Sequence, residues 1–329
     1  MGLLDLNESG MIAGMDIYQQ GLAQLTKYSN DADKIIGDFI DKVNNEPSKP
    51  EIAHYTNDLG LAGILGSGTL RFTNVFDLND PSEIEHGFSH AVKTLNNLSI
   101  NGSPLEKQFS QRFNDLYKDK LKGTANYYVC SFSAEYDDLG QWRSYADNGK
   151  GYALVFDTAA LENYFANNSP GAKNHNNTFD VRYNDSEINL IQNQLVAGAF
   201  NLISFAEQHS LTKSQFNFYM RQLSTEASAH IIHAALFYKH EAYRHEREYR
   251  FLQIFRGDIP PPNLKTRTRN YQSVEYREFN WLPSKALKKI VIGPSANIAV
   301  AENFARQNLN AIGLSDIQIE HSKIPYRVF

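Results

Sequence analysis

KHEAYRHEREYRFLQIF, Lys239 to Phe255, decides how the rest of the chain is read. From Arg247 onward the stretch is β-rich and alternating, which puts Glu246, Glu248, Arg250, Leu252 and Ile254 on one face of a strand. Arg247, Tyr249, Phe251 and Gln253 fall on the other face. A face that begins acidic and ends apolar describes a cleft rim running into a core. Ionised side chains are rarely buried unless they are paired or used. Two readings are open: a Glu–Arg ladder that only holds the strand, or a catalytic glutamate at its mouth.

On the C-terminal side a Pro-rich turn, DIPPPN, leads to the basic segment LKTRTRNYQ. That segment reads as a loop bridging to the strand SVEYREFN. The tail is a β–α–β pattern: LKKIVIG, a helix near Ile298 to Ala311, and IQIEHSKI. On the N-terminal side lie a long helical region from about Ser186 to Phe237 and a strand around Val181. Core strands are expected at GYALVFD and at Asn126 to Ser133, separated by SAEYDDLGQWRSYADNGKG, a loop with a short amphipathic helix. A helical stretch from His86 to Lys120 follows FDLNDPSEIEHGF, where Asn79, Asp80 and Glu83 suit a turn and helix start. Earlier still come TLRFTNV and IAHYTN as strands, with DLGLAGILGSG between them as a helix closed by glycine.

NNEPSKPE, Asn44 to Glu51, carries two prolines and marks a boundary. Before it, Met11 to Val43 places Ile12, Ile17, Leu22, Leu25, Ile35, Ile36, Phe39 and Ile40 at helical spacing, with a break expected at Ser29 to Asp33. The expected organisation is a helical arm over residues 1–48 and one domain over 49–329. Strands and helices follow no regular βαβ alternation, so the fold class is α+β, with a mixed sheet and flanking helices.

A chain of 329 residues holds one large core or two modest ones. Its composition, 42% hydrophobic and 21% charged, is that of a globular protein. With a net charge of -5, contact with nucleic acid needs a local patch. The single cysteine, Cys130, sits in the apolar run YYVCSF; it excludes a disulfide framework and suits a reducing cytoplasm. MGLLDLNESG has no secretory pattern, and LVAGAFNLI is too short to span a bilayer, so a soluble cytoplasmic protein is expected.

Several motifs fail. HEAYRH is one residue too long for a zinc-protease helix, and HIIH at His230 and His233 lacks a third ligand in register, so no metal is expected. GPSANIA is not a phosphate loop, GLAGILGSG is not a dinucleotide fingerprint, and no GxSxG occurs.

Three clusters are left: HYT at His54, SFS with QWRSY at Ser131 to Tyr145, and EREYR at Glu246. In HYTNDLGLAGILGSGTLRFTNVFDLNDPSE, CSFSAEYDDLGQWRSYADNGKGYALVFD and YKHEAYRHEREYRFL, taken in order, the chain resembles a bacterial domain-of-unknown-function family, number 2971, from about Ile52 onward. That family in turn resembles the ADP-ribosyltransferase group, whose members hold NAD as substrate in a split mixed sheet. The resemblance implies that His54, Tyr55 and Thr56 bind cofactor from a first strand. It implies that Ser131, Ser133, Trp142 and Tyr145 supply the serine or aromatic that sandwiches nicotinamide, and that Glu248 is the later-strand glutamate.

The chemistry of these residue types suits that implication. Cleavage of the nicotinamide–ribose bond develops an oxocarbenium-like cation, which a fixed carboxylate stabilises. Cationic nicotinamide is attracted to an aromatic face, here Trp142 or Tyr145. Arginine forks suit a pyrophosphate, with Arg71 and Arg250 as candidates. Packing, capping and ion pairing explain the same residues without any ligand. Lys265, Arg267 and Arg269 beside Tyr271 form a basic aromatic segment that suits a nucleic-acid acceptor, or a solvated loop. The expected function is NAD-dependent ADP-ribosyl transfer to a nucleic acid or protein, in a toxin or phage-defence role, with an antitoxin or regulatory protein at the N-terminal arm. The alternatives are a non-catalytic nucleotide-sensing or partner-binding module, and an NAD glycohydrolase.

Overall fold

The structure, a computed structural model, describes residues 16–44, 49–78, 82–119, 125–170, 178–209, 211–256, 261–269 and 271–326. Ile12, Asn79, Asp80 and the side chain of Glu83 lie outside the described residues. In chain order the elements begin with helix α1 (Ile17–Asn44), strand β1 (Glu51–Thr56), α2 (Asp58–Ser67), β2 (Thr69–Asn74), α3 (Ser82–Ser99) and α4 (Pro104–Lys118). They continue with β3 (Ala125–Ser133), α5 (Leu139–Tyr145), β4 (Tyr152–Asp157), α6 (Thr158–Asn168), β5 (Thr178–Asp180), α7 (Asp185–Gln208) and α8 (Lys213–Ala235). The last are β6 (Glu248–Arg256), β7 (Lys265–Arg269), β8 (Gln272–Asn280), β9 (Leu287–Ile292), α9 (Ile298–Ala311) and β10 (Gln318–His321).

These elements divide into two units. A helical unit takes the described residues within Met1–Asp38, Ser82–Ala125 and Asn184–Tyr238, and a sheet unit takes those within Phe39–Pro81, Asn126–Tyr183 and Lys239–Phe329. The N-terminal helix, up to Asp38, groups with two interior segments of the chain.

In the sheet unit the strand order is β10-β9-β4-β1-β3-β2-β8-β7, and β6 branches from β3 and carries β5. β9 and β10 run parallel, with α9 as the intervening helix that a parallel crossover requires. The pairs of β1 with β3 and β4, β2 with β3 and β8, and β4 with β9 are antiparallel. So are β5 with β6 and β7 with β8. This is an open mixed sheet with flanking helices, the α+β class expected. Leu61, Leu65, Leu154, Phe156, Trp281 and Ile290 are central to its main core.

Local capping explains most boundaries. Asn57 accepts the Gly60 N–H at the start of α2, and Gly68, at φ 64°, closes it by donating to the Leu65 carbonyl. The helix expected over His86 to Lys120 is two helices, because Ser103 and Glu106 form a capping box with Pro104 as the first helical residue. Thr212 and Gln215 form another, which divides the Ser186–Phe237 region into α7 and α8. α6, not expected from the sequence, is started by Asp157, which accepts the Ala160 N–H. LKTRTRNYQ is a strand and hairpin, not a bridging loop, because Lys265–Arg269 pairs along β8.

The break expected at Ser29–Asp33 is absent, and α1 runs through it. Leu25, Tyr28, Ala32 and Ile36 make a buried stripe at helical spacing. The polar residues of SNDAD are accommodated by partners: Ser29 Oγ donates to Glu226 at 3.1 Å, and Asp33 lies 3.5 Å from His230 Nδ1. The Tyr28 hydroxyl donates to the Leu195 carbonyl at 3.1 Å. No described helix is long and apolar enough to cross a membrane.

α3 and α8 approach closely at Gly87, where a Cβ would stand 2.7 Å from Ala235 Cβ and 2.8 Å from its backbone. Gln192, fully buried, donates from Nε2 to the Ile231 carbonyl at 3.0 Å and the Gly87 carbonyl at 3.4 Å. A methyl at position 87 must push two helices apart. Gly87→Ala is expected to lower stability by about 1–3 kcal/mol, the usual cost of overpacking, despite alanine's better helix propensity. Urea unfolding of the two proteins checks this.

Candidate active site

The start of β6 departs from the alternation read in the sequence. Glu246 belongs to a 3₁₀ segment, Glu241–Glu246, and Arg247 sits in the left-handed region at φ 43°. The strand begins only at Glu248. Tyr249, Phe251 and Gln253 are buried, as are Glu248, Arg250 and Leu252, so both faces are covered. A half-exposed cleft rim is replaced by a buried charge cluster.

Lys239, Glu246, Glu248 and Arg250 make up that cluster, and all four are buried. Arg250 donates from Nε to Glu248 Oε1 at 2.7 Å and from a terminal nitrogen to Oε2 at 3.0 Å. Lys239 Nζ lies 2.5 Å from Glu246 Oε2 and 3.3 Å from Glu248 Oε2. Two cations thus balance two carboxylates. Burial alone would raise the Glu248 carboxyl, but Arg250 and Lys239 outweigh it and hold the group at about 2. The nearby Ser131 side chain pulls the same carboxyl further down. The Glu248 N–H donates to the Tyr183 hydroxyl at 3.1 Å, which fixes the entry to the strand.

Around the cluster, three expected residues converge from different strands and a helix. His54 on β1 bonds through Nδ1 to the Ser131 carbonyl on β3 at 3.0 Å, and Ser131 reaches Glu248 on β6. Burial depresses the His54 imidazole below its ordinary value, against the opposing pull of the Ser131 carbonyl, so the ring favours its neutral form. Tyr145, on α5 and 40% exposed, donates from its hydroxyl to Glu246 Oε1 at 3.0 Å. Burial and the Glu246 charge raise the phenol, which stays protonated at neutral pH. His54 and Ser131 are half-buried, so Tyr145 is the most exposed of the group.

Other expected residues have different positions. Trp142 is fully buried, donates to Asp137 Oδ1 at 2.8 Å and packs edge-on against Tyr55 at 4.8 Å. Its faces are taken by the small core around Ala53, Val155 and Val291, which leaves none for nicotinamide. Tyr55 belongs to that core too, and its hydroxyl donates to the Glu135 carbonyl at 2.8 Å. Ser133 donates to the Glu246 carbonyl at 2.8 Å and accepts the Glu135 N–H, so it braces the 3₁₀ segment. Thr56 ends β1 with its hydroxyl against Gly60.

Arg71 lies on β2 opposite Glu278, 5.0 Å from the Tyr276 ring, and not beside Glu248. Arg267 faces the same ring at 5.9 Å. Lys265 pairs with Glu278 at 2.6 Å, and Arg269 donates to the Asp77 carbonyl. Lys265, Arg267 and Arg269 lie on the edge strand β7, with β8 between it and β2, whereas Glu248 lies on β6, which pairs with β3. Tyr271 is fully exposed at the hairpin turn with φ 65°.

Lys239 and the pairing of Glu246 were not read from the sequence, because a 3₁₀ turn brings together residues that no helix or strand period links. His86 and His90 were also passed over, although HGFSH places two imidazoles one helical turn apart.

The pairing of Glu248 has a consequence in acid. A carboxyl held at about 2, against an ordinary 4.5, supports the fold fully above the unfolded value and loses that support as pH falls toward 2. The stability of the wild type is expected to fall over that interval, and Glu248→Gln should show a flatter slope there. At neutral pH the variant should be less stable by about 3–5 kcal/mol, since it leaves buried cations uncompensated. Urea titrations at a series of pH values measure both effects.

No curated protein and no solved structure matches the chain. Residues 141–251, about a third of the chain, match the family described as Protein of unknown function (DUF2971). The matched stretch contains Trp142, Tyr145, Lys239, Glu246, Glu248 and Arg250. The segment carrying the charge cluster is thus the part of the chain that is similar to this family, Protein of unknown function (DUF2971).

Proposed function

We propose that the sheet unit acts on NAD as an ADP-ribosyltransferase, with Glu248 and Tyr145 as its catalytic pair. The observation that carries this reading is the chain His54–Ser131–Glu248 across β1, β3 and β6, with Tyr145 alongside on Glu246. Supporting it, the carboxylate is ionised at all working pH values, the imidazole favours its neutral form, and a protonated phenol is the most exposed member. NAD would supply a ribosyl carbon whose bond to nicotinamide breaks, the electron pair leaving with the base and the acceptor's lone pair replacing it. In this reading His54 and Ser131 orient ribose hydroxyls, Tyr145 offers a ring edge while its hydroxyl holds Glu246, and the acceptor's proton leaves to solvent. Glu248 counters positive charge on the sugar. The acceptor is a protein or nucleic acid, the latter meeting Tyr271 and the basic β7 residues, and a toxin or phage-defence role fits such chemistry.

A second reading is favoured by a different observation. Both oxygens of Glu248 are already engaged by Arg250 and Lys239, which weakens the field left for a developing cation. That arrangement suits a nucleotide-sensing or partner-binding module without turnover.

Tyr145→Phe separates them with little risk to the fold, since it removes one hydroxyl and its single hydrogen bond to Glu246 and keeps the ring. With labelled NAD and cell lysate, wild type is expected to transfer label to protein or nucleic acid, and Tyr145→Phe to do so on the order of 10²-fold more slowly. Binding without transfer supports the sensing module, and free ADP-ribose without labelled acceptor indicates a glycohydrolase. Absence of both binding and turnover overturns the NAD reading altogether.

A further inference from the structure

In the helical unit, α3 and α7 are joined by a ladder of polar contacts. His86 meets Asp185 at 3.2 Å, His90 meets Asn189 at 2.7 Å and Thr94 meets Asn193 at 2.6 Å. Each pair is 99 residues apart in sequence, so the ladder advances in the same direction along both helices. Its first rung differs from the rest. His86 and His90 lie one turn apart on α3 with ring centroids 5.3 Å apart, and His90 Nε2 is 3.9 Å from Asp185 Oδ1. Among the described residues, these three offer one ligand atom each within 4.8 Å of one another.

We infer that His86, His90 and Asp185 form a binding site for a first-row divalent transition metal, of which zinc is the simplest probe. Donor chemistry supports this: two imidazoles and one carboxylate suit zinc, cobalt or nickel better than calcium or magnesium. Orientation supports it independently. The Asn189 side-chain oxygen can only accept, so His90 Nδ1 donates to it, and Nε2 is the ring atom that faces Asp185 at 3.9 Å. A second group that fixes the tautomer in this way is the usual support of a metal-bound histidine.

The spacing is also close to what a metal needs. Bonds of about 2.0–2.2 Å in a tetrahedron place ligand atoms about 3.4 Å apart. The observed 3.2 and 3.9 Å from Asp185 to the two imidazoles bracket that separation. Binding replaces the His86 Nε2 proton that now bonds Asp185, and that proton leaves to solvent. Asp185 is 60% exposed, whereas His86 and His90 are about 15% exposed, so the remaining coordination positions open to water. Asp185 also lies in the first turn of α7, where a carboxylate suits the helix dipole without any metal. That role does not account for two imidazoles converging on it, one held by a partner residue.

Metal binding is measured on the untagged full-length chain by competition between the protein and a chromophoric chelator for Zn²⁺. Co²⁺ absorption in the visible reports coordination directly. One equivalent is expected to bind, and His86→Gln/His90→Gln should weaken it at least a hundredfold. Asp185→Asn should weaken it at least tenfold, and Asn189→Ala about 10–100-fold through loss of ring orientation. His240→Gln/His245→Gln, at another closely spaced pair, should leave it unchanged. Circular dichroism shows whether each variant retains its helices. The inference is overturned if the wild type binds no stoichiometric Zn²⁺, or if the folded His86→Gln/His90→Gln chain binds it equally well.

Discussion

Two carboxylates and two cations are buried together at the entrance to β6, and the surrounding backbone is arranged to keep them so. Lys239 lies 2.5 Å from Glu246, and Arg250 grips Glu248 with two nitrogens. Taking four charges out of water is costly, and their mutual attraction recovers that cost only with close geometry and satisfied hydrogen bonds. The 3₁₀ segment Glu241–Glu246 and the left-handed Arg247 turn both carboxylates toward the same cations. Ser133 and Gln141 hold the Glu246 carbonyl, and Tyr183 holds the Glu248 N–H. A cluster of this kind adds little net stability over apolar packing. It does make one backbone arrangement far cheaper than any that separates the charges.

Burial also redistributes the aromatic residues between packing and chemistry. Trp142 and Tyr145 lie three residues apart on a helix of seven, yet the first is enclosed and the second reaches solvent. Trp142 fills the small core under β1 and β4, where its indole N–H is satisfied by Asp137. Tyr145 keeps its hydroxyl on Glu246 and presents the rest outward. Sheet order separates the basic residues in the same way. Arg71, Arg267 and Tyr276 meet across β2, β8 and β7, whereas Arg250 belongs to the β6 branch.

The helical unit follows a different logic, that of close approach. Gly87 lets α3 lie against Ala235, and Gly198 sits where a Cβ would stand 3.0 Å from the Tyr28 ring. Such contacts bring backbone carbonyls within reach of Gln192 and Tyr28, so the polar ladder between α3 and α7 forms beside a tightly packed interface.

The sequence by itself determined the class of fold, most strands, and the C-terminal β–α–β unit, because those depend on periods of two and 3.6 and on caps written locally. Asn57, Gly68 and the helix Ile298–Ala311 are of that kind. It also drew attention to Glu248, Arg250, His54 and Tyr145, because charged or polar groups in strand-like or clustered positions need a reason. Their partners were decided only by the tertiary structure. Lys239 meets Glu246 through a turn with no regular period, His54 meets Ser131 across two strands distant in sequence, and His86 meets Asp185 across 99 residues. Long-range proximity comes from packing the whole chain, and no local periodicity encodes it. Whether Trp142 faces ligand or core, and whether SNDAD breaks a helix or finds partners for its polar groups, depend on that same packing.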